Sequence, residues 1–527
     1  MRGSLGKVAL IILCLIGTDT AVAESPRQWY RDGRTAVQYA KRLTPITTNA
    51  KNVILFVADG MNIPTVTAAR ILAGQQKGKS GEENLLSFER LPYSAFVKTY
   101  NVDYQTPDSA GTITAMITGV KSNLGVLSVN QRVKRGHHET VDGNRLTTLF
   151  ELAEQTGLST GVVSTTRVTH ATPAGCYAHS PERDWESSGD LPEPAKKAGF
   201  PDIARQLIEF HDGDGLDVVL GGGRRNFLPD NVQDPEYPGS TGRRDDGRNL
   251  TTEWTQKPDA VYVWNKTQLA GVDFGKTERI LGLFQPSHMN FENDRPKDKA
   301  GEPSLTEMTV AAIELLAKNN KGYVLLVEGG RIDHAHHANN AYRALTDTIE
   351  FASAVRAALE RTSRFETLVI VTADHGHMFE IGGDARRGNP ILGKVTTPES
   401  DGTSATPLAH DAVGLPHTTL FYTMGPGYPG PSAEQPEGPK RFRHHGTAYR
   451  YASTGRPDLT DVDTADPDYL TEAGIPARSA PHSSADVPLY ADGPHAHLLR
   501  GVIEQNVIFH VMVEALGLAD RAEGPNE

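Results

Sequence analysis

Cysteine is almost absent: the 527-residue chain has two, Cys14 and Cys176. Cys14 falls in an apolar leader, so no disulfide is expected to staple the rest, and the fold has to rest on its core and on bound metals. Long hydrophobic runs are missing as well. The run at residues 8–16 falls short of the roughly 20 apolar residues needed to cross a bilayer of about 30 Å. No apolar tail follows Leu516, so no membrane anchor is expected. Basic charge is in deficit, with 53 Lys and Arg against 65 Asp and Glu and a net charge of −12. Nucleic acid and anionic membrane surfaces would repel such a chain and are not expected as partners. An anionic substrate needs local metal or Arg charge. There is no internal repeat, and the stretch around Ser109 is no Gly-x-Ser-x-Gly elbow, so a hydrolase triad is not indicated there.

What is present begins with a leader. Arg2 and Lys7 precede the apolar run, and Ala21-Val22-Ala23 supplies small residues for cleavage, which predicts a signal peptide over residues 1–23 and a secreted or periplasmic protein. An N-terminal arm follows at residues 24–50, with an amphipathic helix over 25–42 that carries Trp29, Ala36, Tyr39 and Ala40. Strand-like runs at 52–58, 160–166, 216–220, 323–327, 367–372 and 419–424 alternate with helical patterns at 145–156, 203–211, 304–318 and 339–361. That alternation predicts an α/β fold with a mainly parallel central sheet sandwiched by helices. Residues 229–247 read as a surface loop. Residues 384–480, rich in Pro, Gly, Asp and Thr, read as an inserted subdomain. A late strand at 487–491 and a closing helix at 498–516 make the main domain discontinuous, spanning 51–383 and 481–520.

Three apolar strands end in ligand-type residues, as open α/β sheets place their sites. One delivers Asp59, one Glu328 and then Asp333, His334, His336 and His337, and one Asp374, His375 and His377. On a helix, Asp333 and His337 share a face where one cation can bridge them. Ser109 opens a small-residue helical stretch, where N–H groups and the dipole favour an anion, although a helix cap reads the same way. His170 and Thr172 follow another strand as ligands or supporting groups. Arg183 can grip a phosphate or sulfate through two parallel N–H bonds. His482, His495 and His497 stay open as further ligands.

These stretches together resemble the alkaline phosphatase family from about Trp29 to Leu516. The resemblance rests on residues 52–61, 98–101, 107–109, 170–179, 220–224, 262–265, 328–337, 372–377 and 493–497, in that order. It implies a metal-dependent phosphomonoesterase working through a phosphoserine at Ser109, with Arg183 binding phosphate. It assigns one zinc to Asp333, His337 and His482, a second to Asp59, Asp374 and His375 with Ser109, and a magnesium to Asp59, Thr172 and Glu328. His170 and His334 match the vertebrate-type branch, where other members have Asp and Lys, which implies weaker magnesium retention, looser phosphate binding and a more alkaline optimum. A calcium site maps onto Glu236, Phe284, Gln285 and Glu302; Gln285 stands where that site has a Glu and Glu302 where it has an Asp, and the lost charge weakens the case for calcium. The insert matches the family's crown subdomain and the arm its subunit-embracing helix, which implies a homodimer. Two other readings compete: a phosphodiesterase or sulfatase reusing similar ligands, and a secreted binding protein whose clusters only stabilise its fold.

Overall fold

The computed structural model describes residues 25–397, 407–411, 414–430, 434–435, 438–443, 456–522 and 524. The expected signal peptide lies outside the described residues, as do 398–406, 412–413, 431–433, 436–437 and 444–455 of the expected insert.

The chain divides into two units, residues 1–44 and 45–527. In the first, the expected amphipathic helix spans Pro26–Ala40, capped by Ser25, whose side chain accepts from the N–H of Gln28. None of its residues is buried, and Trp29, Tyr30, Val37 and Tyr39 are exposed.

The second unit is built on a ten-stranded sheet. In chain order its strands are β1 (Asn52–Val57), β2 (Tyr93–Lys98), β3 (Ser159–Arg167), β4 (Val218–Gly222), β5 (Ala260–Val263), β6 (Arg279–Leu283), β7 (Tyr323–Glu328), β8 (Thr367–Thr372), β9 (Val487–Asp492) and β10 (Gly501–Glu504). Across the sheet they run β10-β2-β9-β8-β1-β7-β3-β4-β6-β5, and only β9 is antiparallel to its neighbours. At the centre Val53 to Phe56 pair with Val324 to Val327 on one side and with Leu368 to Val371 on the other. All twelve are buried, as near-continuous apolar strands covered on both faces must be. Helices Ile63–Gln75, Leu305–Leu316 and Ala341–Arg361 pack together, and Leu149–Thr156, Ser109–Thr118 and Val507–Ala515 form another group.

Two expected elements differ. The run at 419–424 is a strand, Leu420–Gly425, but it belongs to a separate three-stranded sheet with Phe379–Ile381 and Ala473–Pro476. Its alternation shows why: Leu420 and Tyr422 are buried and Phe421 is exposed, as befits a sheet covered on one face. The stretch at 498–516 is not one helix but β10 followed by helix Val507–Ala515, because Gly501 turns at φ +74° and the β-branched Val502 and Ile503 then pair with β2. Elsewhere caps set the boundaries. The helix expected from 145 starts at Leu149, where Thr148 and Glu151 form a capping box.

Candidate active site

β8, β1, β7 and β3 lie side by side and in parallel, so their carboxyl ends gather residues far apart in sequence. Asp374 and His375 leave β8, Asp59 leaves β1, Glu328 closes β7, and the segment after β3 carries His170 and Thr172. Gly60 lets the chain turn at φ +79° directly beneath the neighbouring turn. A Cβ there would lie 2.8 Å from His377 Cδ2 and 3.0 Å from Asp333 Cα. Helix Arg331–His337 then places Asp333 and His337 on one face, with Asp333 Oδ2 3.3 Å from His337 Nε2. His336 faces elsewhere, bonded to Thr65 Oγ1 at 3.0 Å and Tyr422 OH at 2.8 Å.

Ser109 opens the wholly buried helix Ser109–Thr118, with Asp108 as its N-cap. Asp108 Oδ1 accepts from Gly111 N–H (3.1 Å) and Asn101 Nδ2 (2.9 Å). Its Oδ2 accepts from Gly125 N–H (3.1 Å) and Arg183 NH1 (2.9 Å). Burial works to raise the Asp108 pKa, but Arg183 and the two N–H groups outweigh it and hold the carboxylate below its usual range. The other terminal nitrogen of Arg183 lies 3.2 Å from His170 Nε2, and Ser109 Oγ lies 3.2 Å from His375 Nε2.

Among the described residues, three groups of side chains bring ligand atoms within 4.8 Å of one another: Asp333, His337, His377 and His482; Asp59, Asp333 and His375; and Asp59, His170 and Glu328. Main-chain partners fix two imidazoles. His482 Nδ1 donates to Pro107 O (2.8 Å) and His337 Nδ1 to Ala480 O (2.6 Å), which leaves their Nε2 atoms, 3.2 Å apart, as bare acceptors facing the cluster. The His482 ring stacks on that of His375 with centroids 3.6 Å apart. His495 and His497 are in none of these groups.

The chemistry of the donor set fits metal ions. Both Asp59 oxygens, Asp374 Oδ2, Glu328 Oε1, Thr172 Oγ1 and His375 Nδ1 are buried without a hydrogen-bond partner, a state native interiors rarely leave unexplained. Burial pushes Asp59 well above the usual carboxylate range, helped by Asp374, Asp333 and Glu328. Burial likewise lifts Asp374 to about 6 and Glu328 to about 7. Asp333 goes the other way: burial raises it, but His337, His377 and His482 prevail and hold it well below. Burial lowers His375 to about 4 and His482 to about 3, so these rings are neutral and ready to ligate. Neutral imidazoles with carboxylates suit zinc, and the oxygens of Asp59, Thr172 and Glu328 suit magnesium, although His170 adds a nitrogen to that last group.

Sequence reading left three residues at the site without a role. His377, which the sequence marks only as a ligand-type residue at the end of a strand, has Nε2 2.5 Å from Asp333 Oδ1. Asp108 was legible only as the neighbour of a serine. His288 carries no local signal. The chain brings its ring 4.2 Å from that of His334 and 5.4 Å from that of His170, and Arg167 N–H approaches its Nδ1 at 3.3 Å. At the positions mapped to calcium, Glu236 pairs with buried Arg224 (3.1 Å), Gln285 accepts from Tyr237 OH (3.0 Å) and donates to Asp298 (2.8 Å), and both Glu302 oxygens accept from Asn290 N–H at 3.1 Å.

Residues 50–518 match the family model described as alkaline phosphatase. The chain is 41% identical over 511 residues to the tissue-nonspecific alkaline phosphatase isozyme of Gallus gallus, covering 95% of this chain and 91% of that protein. It is 40% identical over 497 residues to the alkaline phosphatase of Gadus morhua, covering 93% and 97%. Among solved structures, the alkaline phosphatase of Thermus thermophilus superposes with a TM-score of 0.62 at 24% identity, over 91% of this chain and 94% of that one, which bears on the fold.

Proposed function

The chain belongs to the alkaline phosphatase family, whose function is hydrolysis of phosphate monoesters, and on that premise we propose that Ser109 attacks the phosphorus while Arg183 holds the phosphoryl group. The observation that carries this reading is the convergence on Ser109, a helix-opening hydroxyl 3.2 Å from His375 and beside an arginine already oriented by Asp108. We assign one zinc to Asp333, His337 and His482, a second to Asp59, Asp374 and His375 with Ser109, and a magnesium to Asp59, Thr172 and Glu328. Bound there, such ions lower the pKa of a nearby hydroxyl and offset charge on phosphoryl oxygens.

The chain's own groups do the rest. The N-terminus of helix Ser109–Thr118 stabilises negative charge at Ser109 Oγ and on the bound group. Asp108 takes one donor of Arg183 and fixes the plane of the guanidinium, which leaves other N–H groups for two phosphoryl oxygens. Attack forms the Oγ–P bond as Ser109 gives its hydroxyl proton to solvent, and breaks the P–O bond to the alcohol, which leaves with a proton from solvent. Water then attacks the phosphoserine from the vacated side, and Ser109 recovers its proton as phosphate departs. Positioning and charge dominate this chemistry, so a site that grips phosphate tolerates many alcohols. His170 and His334 flank the group as supporting residues.

We also read residues 384–480 as a crown-like insert in the main domain at 51–383 and 481–520, the arm at 24–50 as an embrace of a second subunit in a homodimer, and the protein as secreted or periplasmic. Among the described residues no helix is long and apolar enough to cross a membrane. One comparison tests the catalytic reading: hydrolysis of p-nitrophenyl phosphate, its bis ester and its sulfate by the native protein and by Ser109→Ala, with and without chelator. Fast, chelator-sensitive cleavage of the monoester alone, lost in Ser109→Ala, is expected. Preference for the diester or sulfate would transfer the chain to the phosphodiesterase or sulfatase reading, and no chelator-sensitive turnover would sink the proposal.

A further inference from the structure

Asp108 orients the guanidinium of Arg183, but the main chain that carries Arg183 is held by a different set of contacts. Two loops run side by side there. Arg183 N–H donates to Gly125 O (2.9 Å), Leu127 and Ser180 exchange both of their main-chain hydrogen bonds (2.9 and 3.0 Å), and Gly136 N–H donates to Pro181 O (2.9 Å). Gly125 N–H in turn donates to Asp108 Oδ2 (3.1 Å), the oxygen that also accepts from Arg183. The loop at 125–136 therefore meets Arg183 twice, at its backbone and through the carboxylate that orients its side chain.

One ion pair ties these loops together. Arg135 Nε donates to Glu182 Oε2 and Arg135 Nη2 to Glu182 Oε1, both at 2.8 Å. Glu182 immediately precedes Arg183. Its other contacts are local: Oε1 also accepts from Asp184 N–H (3.3 Å), its N–H donates to Ser180 Oγ (3.2 Å), and its carbonyl accepts from that hydroxyl (2.8 Å). The guanidinium of Arg135 also lies against Gly125. Gly125 turns at φ +80°, and a Cβ there would fall 2.3 Å from Arg135 Cζ and push the arginine away. The side chain of Arg135 is 41% exposed, and an ion pair so open to solvent adds little to stability. Two parallel N–H···O bonds between planar groups nevertheless fix orientation as well as distance. The pair is therefore better suited to placing Glu182 and its neighbour than to stabilising the fold.

We propose that the Arg135–Glu182 pair is a positioning element for Arg183, holding the two loops so that the guanidinium stands where the phosphoryl oxygens meet it. Arg135 acts only through Glu182 and Gly125 and does not itself touch the substrate. This inference rests on Arg183 as the phosphate-binding residue.

Turnover of p-nitrophenyl phosphate by the metal-loaded protein, with inorganic phosphate as competitive inhibitor, tests it through a double-mutant cycle. Arg135→Met removes the cation and Glu182→Gln the anion. Both should raise KM and the inhibition constant of phosphate, by about twofold to fivefold for a partly exposed pair, with a smaller change in kcat. The double variant should be no worse than either single one, because the same pair is lost in all three. Charges acting on phosphate from a distance would give opposite signs in the two single variants, since loss of Glu182 would then tighten binding. A pair that serves stability alone would shift the urea midpoint and leave both constants at their native values. Opposite signs, native constants in either single variant, or additive losses in the double variant overturn the inference and leave the catalytic reading standing. A native protein without chelator-sensitive turnover overturns both.

Discussion

Asp108 does two jobs with one carboxylate, since Oδ1 caps the helix that presents Ser109 while Oδ2 orients Arg183. Asp108→Ala should therefore show both losses. Losing the cap should cost about 1 kcal/mol in a urea titration. Freeing Arg183 should raise KM for p-nitrophenyl phosphate more than it lowers kcat, about tenfold for a charge-assisted hydrogen bond worth roughly 1.5 kcal/mol. His170 is a sharper case, because its ring joins Asp59 and Glu328 where an oxygen would suit magnesium better. His170→Asp should retain magnesium through longer dialysis, measured by metal analysis, and should shift the pH optimum downwards. Unchanged retention and an unchanged profile would remove this account of the vertebrate-type histidines. The types and spacing of Asp59, Ser109, Glu328, Asp333, His337, Asp374 and His375 were visible in sequence because each follows an unmistakable strand or opens a helix. His288 was not, since what matters about it is which rings it meets, and no local pattern encodes that.

At the scale of elements, the strands that carry the site were the easiest to read. β1, β7 and β8 are buried on both faces, so their composition alone marks them. β5, β6 and β10 are not marked in sequence because they are short and partly exposed or interrupted by glycine, β2 because it is half exposed, and the pairing of all four is decided by neighbours distant in sequence. One junction carries a pH signature. Glu154, at the end of helix Leu149–Thr156, is 3% exposed and accepts from Thr160 Oγ1 at 2.5 Å. Burial lifts its pKa from 4.5 to about 8, with Asp217 and Asp214 adding to the rise. The folded state thus favours the neutral acid: the contribution to stability is complete below about 4.5 and is lost as pH climbs through 8. Glu154→Gln should flatten the dependence of Tm on pH between 5 and 9, and at pH 9 should be the more stable protein by on the order of 1–3 kcal/mol. Equal slopes for the two proteins would exclude Glu154 as the source.

For the whole molecule, the buried carboxylates tie stability to metal. Asp374 and Glu328 titrate near 6 and 7 without a counter-charge, so the metal-free fold is secure below those values and loses that security as pH rises through them. Stripping the ions with chelator should lower Tm at both pH 6 and pH 9, and by more at pH 9. Each ion at a thousandfold excess over its Kd contributes about 4 kcal/mol. Calorimetry at the two pH values, before and after adding back zinc and then magnesium, checks both sign and order; a larger loss at pH 6 would contradict it. The closure of the first ligand cluster has a consequence in time. The His482 ring is anchored to Pro107 across 375 positions of sequence, and β9 enters the sheet only after His482 has passed. A chain emerging from its N-terminus has Asp59, Ser109, Asp333 and Asp374 out long before the imidazole that completes the set. The cluster of Asp333, His337, His377 and His482 therefore closes only in the medium that surrounds the last tenth of the polypeptide as it arrives.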